Sequence, residues 1–270
     1  MISDSSPGHV LCGHRTPRVV AARRLTTRSG RAEAGRFLAE GAQAVREALT
    51  HGRVYEVFVT EAAARRHEEL LRRAPKVSLV TQRAAELLSE TVSPQGIVAV
   101  CDEVTVPLAT ALAGSPRQVA VLVGVTDPGN AGTVLRVADA AGADAVVFAG
   151  ETVDVHNGKC VRASTGSLFH LPVARERDVD AVLAQCRRAG LRTVAAHGYA
   201  EHDLTTAPWL REPTAWLFGS EAHGLPAEVL EAVGTAVRVP ILGRAESLNL
   251  ATAAAVCLYA RVLSGGPAEG

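Results

Sequence analysis

The sequence predicts an α/β protein with two domains, the second of which is built on a parallel sheet. Its 270 residues are enough for one large domain or two small ones. In the second half, near-continuous apolar runs alternate with helical patterns of about 10–15 residues, which is typical of a parallel sheet covered on both faces. A composition of 47% hydrophobic and 21% charged residues excludes disordered and collagen-like chains.

The first hundred residues alternate between helix and strand and predict a small α/β domain. Apolar residues recur at helical spacing over residues 33–49, and a β-branched run follows at residues 54–59. The periodicity also predicts a helix at 62–73, a strand at 77–80, a helix at 83–89 and a strand at 97–100.

Turn-forming residues separate this domain from the next. Pro107, Gly114 and Pro116 fall in one stretch without periodicity, as in a linker. The expected organisation is a flexible N-terminus over residues 1–14, a first domain over 15–105, a linker over 106–118 and a second domain over 119–270.

The second domain contains five predicted strands with helices between most of them. They lie at residues 119–123, 145–148, 193–196, 214–218 and 236–239. Open sheets of this kind bind ligands beyond the carboxyl ends of their strands. We therefore expect chemistry in the loops that follow Val123, Ala196, Phe218 and Val239.

The loop after Val123 leads into a predicted helix that ends near Ala141. Asn130 is a suitable N-cap for it, and Gly132 and Arg136 then lie four residues apart on one helical face. Arg136 could reach a phosphate or a reacting hydroxyl at the strand end. The alternative is a glycine required for helix–strand packing and an arginine on a solvated face.

The loop after Phe218 combines conformational freedom with polar groups. Gly219 and Gly224 allow main-chain amides to approach a ligand, and Glu221 supplies an acceptor. His223 is either a general base or an exposed loop residue. Asn130 and Glu221, at neighbouring strand ends, are expected to form a polar cluster together with Arg136.

The loop after Val239 precedes the last predicted helix, for which Ser247 is the expected N-cap. Ser247 and Asn249 lie where a helix start offers donors to a carboxylate. The helix carries a predicted apolar stripe of Leu248, Ala251, Ala255, Leu258 and Val262. Its stripe packs on the sheet, or its many alanines allow the close approach of a second subunit.

Charge is unevenly distributed although the formal net charge is zero. The first 53 residues hold nine arginines and four acidic residues, which indicates a polyanionic partner such as nucleic acid. Arginine could instead be the general cation of this chain, since only two lysines occur. The arginines expected to bind RNA are Arg15, Arg18, Arg23, Arg24, Arg28 and Arg31.

Several classes of protein lack support. The five cysteines show no CxxC spacing, so we expect thiols packed as small apolar side chains and no metal. GxGxxG and P-loop motifs are absent, which argues against nicotinamide dinucleotides and P-loop nucleotides. Neither a membrane helix nor a secretory leader is visible in the sequence, so we expect a cytoplasmic location.

Three ordered segments carry a family resemblance: residues 127–136, 218–224 and 239–249. In order and spacing they resemble the three motifs of the SpoU (TrmH) family of RNA 2′-O-ribose methyltransferases, of the SPOUT superfamily. Residues 162–166 and 171–173 match a further segment of that family. Residues 31–49 resemble its substrate-binding domain, which is similar to small ribosomal RNA-binding proteins.

The resemblance implies a parallel sheet closed by a C-terminal trefoil knot, with S-adenosylmethionine bound in the knot, and a homodimer whose site draws on both subunits. It implies cofactor contacts at Ala196, Gly219, Val239, Ile241 and Leu248. Arg136 is the matched catalytic residue, with Asn130, Glu221, Ser247 and Asn249 holding it, the ribose and the cofactor carboxylate. Because a guanidinium is a poor base near neutrality, Arg136 either has a lowered pKa in the complex or orients the hydroxyl while another group takes the proton.

The expected function is methylation of a ribose 2′-hydroxyl in structured RNA, with ribosomal RNA favoured over transfer RNA. A second hypothesis is an RNA-binding protein of the same fold that has lost catalysis. A third is a dinucleotide-dependent enzyme. Binding of S-adenosylmethionine separates the first hypothesis from the other two.

Overall fold

The computed structural model describes residues 11–264, which contain helices and strands throughout. Up to residue 102 the elements are α1 (Pro17–Arg24), α2 (Arg28–Ala34), β1 (Arg36–Glu40), α3 (Ala42–His51), β2 (Val54–Val59), α4 (Glu61–Arg66), α5 (Glu68–Leu71), β3 (Val77–Leu79), α6 (Gln82–Leu87) and β4 (Ile97–Asp102). They continue with β5 (Thr105–Val106), α7 (Leu108–Ala111), β6 (Gln118–Val123), α8 (Pro128–Ala140), β7 (Ala145–Ala149), α9 (Gly158–Ser164), β8 (Val173–Glu176), α10 (Val179–Arg188), β9 (Arg192–Ala196), β10 (His202–Asp203), β11 (Thr214–Phe218), α11 (Ala227–Val233), β12 (Ala236–Arg238) and α12 (Leu250–Ser264).

The chain divides into two units whose boundaries differ from the expected ones. Within the described residues, the first unit comprises residues 11–103 and 156–169, and the second comprises residues 104–155 and 170–264. Residues 106–118, expected to be a linker, contain α7 and belong to the second unit. The reason is burial, because Ala111 and Leu112 lie in the core of that unit. Residues 265–270 of the expected second domain lie outside the described range.

The sheet of the first unit has the strand order β1-β4-β2-β3. β4 is antiparallel to both β1 and β2, and β3 is parallel to β2. The predicted helix over residues 33–49 is wrong in its first half, where β1 forms instead. Phe37 and Ala39 are fully buried there, and pairing with β4 fixes the strand. Gly41, at a φ of 92°, then turns the chain into α3.

Residues 11–14 are also structured, although they fall in the segment expected to be flexible. Cys12 is 2% exposed, and its amide donates to the Leu79 carbonyl at 2.8 Å. The chain is thereby tied to the sheet edge, and two helices that the sequence analysis did not predict, α1 and α2, follow. Residues 1–10 of that segment lie outside the described range.

The second unit confirms the predicted parallel sheet. Its strand order is β10-β12-β9-β11-β6-β7-β8-β5, and every neighbouring pair is parallel. β6 and β11 lie centrally and are buried along their whole length. Since the strands are parallel, the loops after β6, β9, β11 and β12 leave the sheet at one edge, where ligands bind in such folds.

The last helix, α12, packs against α8 and the sheet. Its buried face is formed by Ala251, Ala254, Cys257 and Leu258. The predicted stripe is therefore wrong in part, because the helix begins after Leu248 and leaves Val262 43% exposed. Within the described residues, no helix has the length and apolar character that crossing a membrane requires. All five cysteines are buried and lie outside any disulfide, as predicted.

Candidate active site

The loop after β6 begins α8 one turn earlier than expected. Asp127 is the N-cap, because its carboxylate accepts from the Asn130 amide at 2.7 Å and Pro128 occupies the first helical turn. The predicted cap, Asn130, instead lies inside the helix. Its side chain can therefore contact the other loops.

Asn130 joins three loops through its side-chain amide. Its Nδ2 donates to Glu221 Oε1 at 2.9 Å, and its Oδ1 accepts from Asn249 Nδ2 at 3.0 Å. Asn249 Oδ1 in turn accepts from the amides of Ala251 and Thr252, which caps α12. Asn249 therefore takes the capping role that was expected of Ser247. One chain of hydrogen bonds connects the loops after β6 and β11 with the start of α12.

The loop after β11 is a tight closed turn. Ser220 and Gly224 exchange two main-chain hydrogen bonds, of 3.0 and 2.9 Å, and Gly224 has a φ of 67°. A Cβ on Gly219 would lie 2.1 Å from the Gly224 carbonyl carbon, so only glycine fits at this position. The turn holds Glu221 toward Asn130, while His223 remains exposed and donates its amide to Ser220 Oγ at 3.2 Å.

The loops after β9 and β11 and the segment between β12 and α12 enclose a cavity of about 420 Å³. This volume lies in the range of small-molecule sites, which is roughly 300–1,000 Å³. All five residues expected to contact the cofactor line it: Ala196, Gly219, Val239, Ile241 and Leu248. Glu221 and Ser247 line the same cavity.

Several lining residues were not predicted, among them the polar and aromatic side chains of His197, Tyr199 and Glu246. The Tyr199 side chain is 92% exposed, and its ring lies 5.8 Å from that of His197. The sequence contained a signal for two of them, because His197 and Tyr199 lie just after the end of a predicted strand. An exposed aromatic ring at the rim of a cavity offers a surface on which a flat ring system can stack.

Arg136 is not part of the hydrogen-bonded cluster in which it was expected. It lies on α8 six residues after Asn130, which corresponds to about 9 Å along the helix axis. Its side chain is exposed, and no described residue accepts a hydrogen bond from its guanidinium. Arg136 thus presents a free positive charge on the helix that also carries Asn130.

The arginines expected to contact RNA differ in exposure. Arg31 is 3% exposed and donates to the Leu25 carbonyl at 3.0 Å, so the prediction that it contacts RNA is wrong. It was misassigned because local charge does not report burial. Arg18 is exposed but forms an ion pair with Glu56 at 3.0 Å. The remaining four are exposed: Arg15, Arg23, Arg24 and Arg28.

Comparison with known proteins gives two family matches. Residues 117–259 match the model of the SpoU rRNA methylase family, and residues 16–99 match that of the MRM3-like substrate-binding domain. The first match contains all the segments that form the cavity. The second falls on the first unit.

Individual relatives cover nearly the whole chain. The 23S rRNA (guanosine(2553)-2′-O)-methyltransferase RlmP of Bacillus subtilis is 36% identical over 88% of this chain and 92% of its own length. The 23S rRNA (uridine(2479)-2′-O)-methyltransferase of Streptomyces viridochromogenes is 32% identical over 93% and 94%, respectively. The AdoMet-bound rRNA methyltransferase from Sinorhizobium meliloti superimposes with a TM-score of 0.81 at 31% identity, over 92% of this chain and 95% of that one. Together with the geometry of the three loops, these matches show that the chain belongs to the SpoU rRNA methylase family.

Proposed function

We propose that this protein transfers a methyl group from S-adenosylmethionine to a ribose 2′-hydroxyl of ribosomal RNA. The observation that carries the proposal is the cavity of about 420 Å³ between the loops after β9 and β11 and the segment before α12. The hydrogen bonds Glu221–Asn130–Asn249 tie the last two of these segments to α8. The names of the relatives, which act on 23S rRNA, favour ribosomal RNA over transfer RNA.

The residues of the cavity fit S-adenosylmethionine. Aliphatic side chains at Val239, Ile241 and Leu248 suit an adenine ring. Gly198 leaves the space beside its backbone open, so main-chain groups there are accessible to a ligand. The Ser247 hydroxyl supplies a donor for the amino-acid carboxylate. When bound, the cofactor supplies an electrophilic methyl group on a sulfonium.

Arg136 is assigned to bind the RNA phosphate and orient the acceptor hydroxyl. A guanidinium keeps its proton near neutral pH and presents a fork of donors, so it suits binding an anion better than removing a proton. Holding the hydroxyl in line with the methyl group lowers the entropic part of the barrier. Asn130, Glu221 and Asn249 hold the first turn of α8, the helix that carries Arg136 further along.

We also propose that the segment between β12 and α12 threads the chain into a trefoil knot. β12 lies on the side of β9 away from β11, whereas α12 packs against α8, β9 and β11. The chain therefore returns across two strands before it begins α12. The Ser220–Gly224 turn lies beside that return path, because both line the same cavity.

A homodimer is proposed from the exposed side of α12. A groove of about 510 Å³ is lined by Val256, Tyr259 and Leu263, and Leu263 is 80% exposed. Ala255 and Ala260 in the same groove permit close helix packing. Light scattering after size exclusion should give twice the chain mass for the wild type and a monomer for Leu263→Glu.

The two units are assigned separate roles. The first unit, which matches the substrate-binding domain, holds the RNA, and the second carries out methyl transfer. A ribosomal substrate fits the cytoplasmic location expected from the sequence. The exposed arginines around α1 and at the start of α2 remain proposed RNA contacts: Arg15, Arg23, Arg24 and Arg28.

The decisive experiment supplies purified protein with an unmodified ribosomal RNA transcript and methyl-labelled S-adenosylmethionine. Nuclease digestion and mass spectrometry should find the label in a 2′-O-methylnucleoside. Arg136→Ala should lower the rate at least 100-fold while cofactor binding persists, whereas Arg177→Ala, an exposed arginine paired only with an exposed glutamate, should not. An inactive RNA-binding protein would give no label, and base methylation would exclude the proposed chemistry.

A further inference from the structure

The first unit carries a polar cleft between α3 and the α4–α5 region, which we call the basic cleft. Its volume is about 640 Å³. Four arginines line it, Arg46 from α3, Arg65 and Arg66 from α4, and Arg73 just beyond α5. All four side chains are exposed. These residues are scattered over 28 positions of the chain, so no local motif marks them in the sequence.

Neutral partners hold two of the arginines in the cleft. Arg73 Nη2 donates to Thr50 Oγ1 at 2.9 Å, and Thr50 Oγ1 donates to the Arg46 carbonyl at 2.8 Å. Arg46 Nη1 donates to Gln43 Oε1 at 2.6 Å. Because hydroxyl and amide oxygens carry no net charge, these contacts orient the guanidinium groups without neutralising them.

The balance of charge in the cleft is positive. Two acidic residues line it, and one of them, Glu68, forms an ion pair with Arg72 at 2.8 Å. Arg65 lies 4.0 Å from Glu61, and both side chains are largely exposed, so that pair is weak. Among the described residues, no carboxylate lies within ion-pair distance of Arg46, Arg66 or Arg73.

His67, at the junction of α4 and α5, responds to this charge. Partial burial lowers its pKa, and the nearby guanidinium groups of Arg66 and Arg46 lower it further. Arg46 belongs to α3, so its effect on His67 indicates that positive charge from both walls meets in the cleft.

We propose that the basic cleft binds the sugar-phosphate backbone of the RNA substrate, which rests on the proposed function. Convergent guanidinium groups form short charge-assisted hydrogen bonds with phosphate oxygens and release counterions on binding. The cleft thus supplies phosphate contacts that buried Arg31 and paired Arg18 do not.

The test compares Arg66→Gln/Arg73→Gln with Arg83→Gln/Arg177→Gln, which removes equal charge from exposed sites outside the cleft. Fluorescence anisotropy with an unmodified 23S ribosomal RNA transcript measures Kd between 50 and 200 mM KCl. For each lost phosphate contact the slope of log K against log salt should become shallower by about 0.7–0.9, so the cleft variant should lose about 1.5 in slope and bind at least tenfold more weakly at 50 mM. The control variant should stay within twofold of the wild type.

Equal Kd and slope for the cleft and control variants would overturn the proposal. It would also be overturned if the cleft variant bound RNA normally but lost the binding of a polyglutamate peptide that the wild type shows. Thermal unfolding of each variant, expected within about 2 °C of the wild type, verifies that the exposed substitutions leave the fold in place. Methyl transfer by the wild type is measured in parallel. If the wild type methylates RNA and the cleft variant binds normally, only the cleft assignment fails. If the wild type binds no RNA, both proposals fail.

Discussion

Gly219→Ala is the substitution that most directly disturbs the proposed cofactor cavity. Gly219 directly follows β11, and an added Cβ would lie 2.1 Å from the Gly224 carbonyl carbon and 2.3 Å from the Leu225 nitrogen. Both atoms belong to the backbone, so no side-chain rotation relieves the clash. The turn that holds Glu221 therefore has to open by roughly 1 Å or more before the added Cβ lies at ordinary contact distance from these atoms.

The expected cost follows from what the opened turn loses. Ser220 and Gly224 exchange two main-chain hydrogen bonds, each of which contributes about 1 kcal/mol. Strain from the extra methyl group adds about 1–3 kcal/mol. A ligand that requires the native turn must overcome at least about 3 kcal/mol, which corresponds to roughly a 100-fold weaker affinity for S-adenosylmethionine.

Isothermal titration calorimetry with S-adenosylmethionine measures this effect. Gly243→Ala is the matched control, because a Cβ there meets nothing within 4 Å and Gly243 has no left-handed φ. The control should bind like the wild type, whereas Gly219→Ala should show no saturation below millimolar cofactor. Equal affinity for the two variants would refute the assignment of this turn to the cofactor cavity.

Three further changes test other parts of the structure. Asn130→Asp places a second carboxylate against Glu221 at 2.9 Å, so methyl transfer should fall at least tenfold in a radiolabel assay, and an unchanged rate would contradict the role of this pair. Glu40→Ala removes a 7% exposed carboxylate that accepts from Arg162 at 3.0 Å, and urea unfolding should show a loss of about 2–4 kcal/mol, whereas less than about 0.5 kcal/mol would contradict the bridge. Burial raises the pKa of Cys186 to about 11, so the unfolded chain loses its thiol proton first, and stability should fall from pH 9 toward 11 at about 1.4 kcal/mol per unit for this thiol. The stability of Cys186→Ala should fall less steeply with pH than that of the wild type. Parallel stability curves for the two proteins would contradict the raised pKa of Cys186.

The sequence pattern alone predicts a strand where an apolar run fits no other type of element. The predicted strand at residues 214–218 coincides with β11, because five consecutive residues there are buried between neighbours on both sides. β1 could not be predicted in this way. Phe37 fits a helical pattern with Ala44, Val45 and Ala48 as well as it fits a strand, and the choice is made by pairing with β4, more than fifty residues later in the chain.

The candidate site could likewise be predicted from the sequence only in part. Turn-forming residues and polar side chains after predicted strands located the three loops, and five cofactor positions chosen on a family resemblance line one cavity. Which side chain caps a helix was harder to predict. Asp127 and Asn130 are both good caps, and Pro128 in the first turn was the signal in favour of Asp127. Arg136 lies outside the cluster because it is six residues after Asn130, which is about 9 Å further along α8.

The most direct test of the account is a crystal structure of the protein with S-adenosylmethionine. It should show the cofactor between the loop after β9, the Gly219 turn and the segment that contains Leu248, with its methyl group open to the side from which Arg136 can reach an acceptor ribose. Cofactor density in another part of the chain, or none at a saturating concentration, would contradict the account.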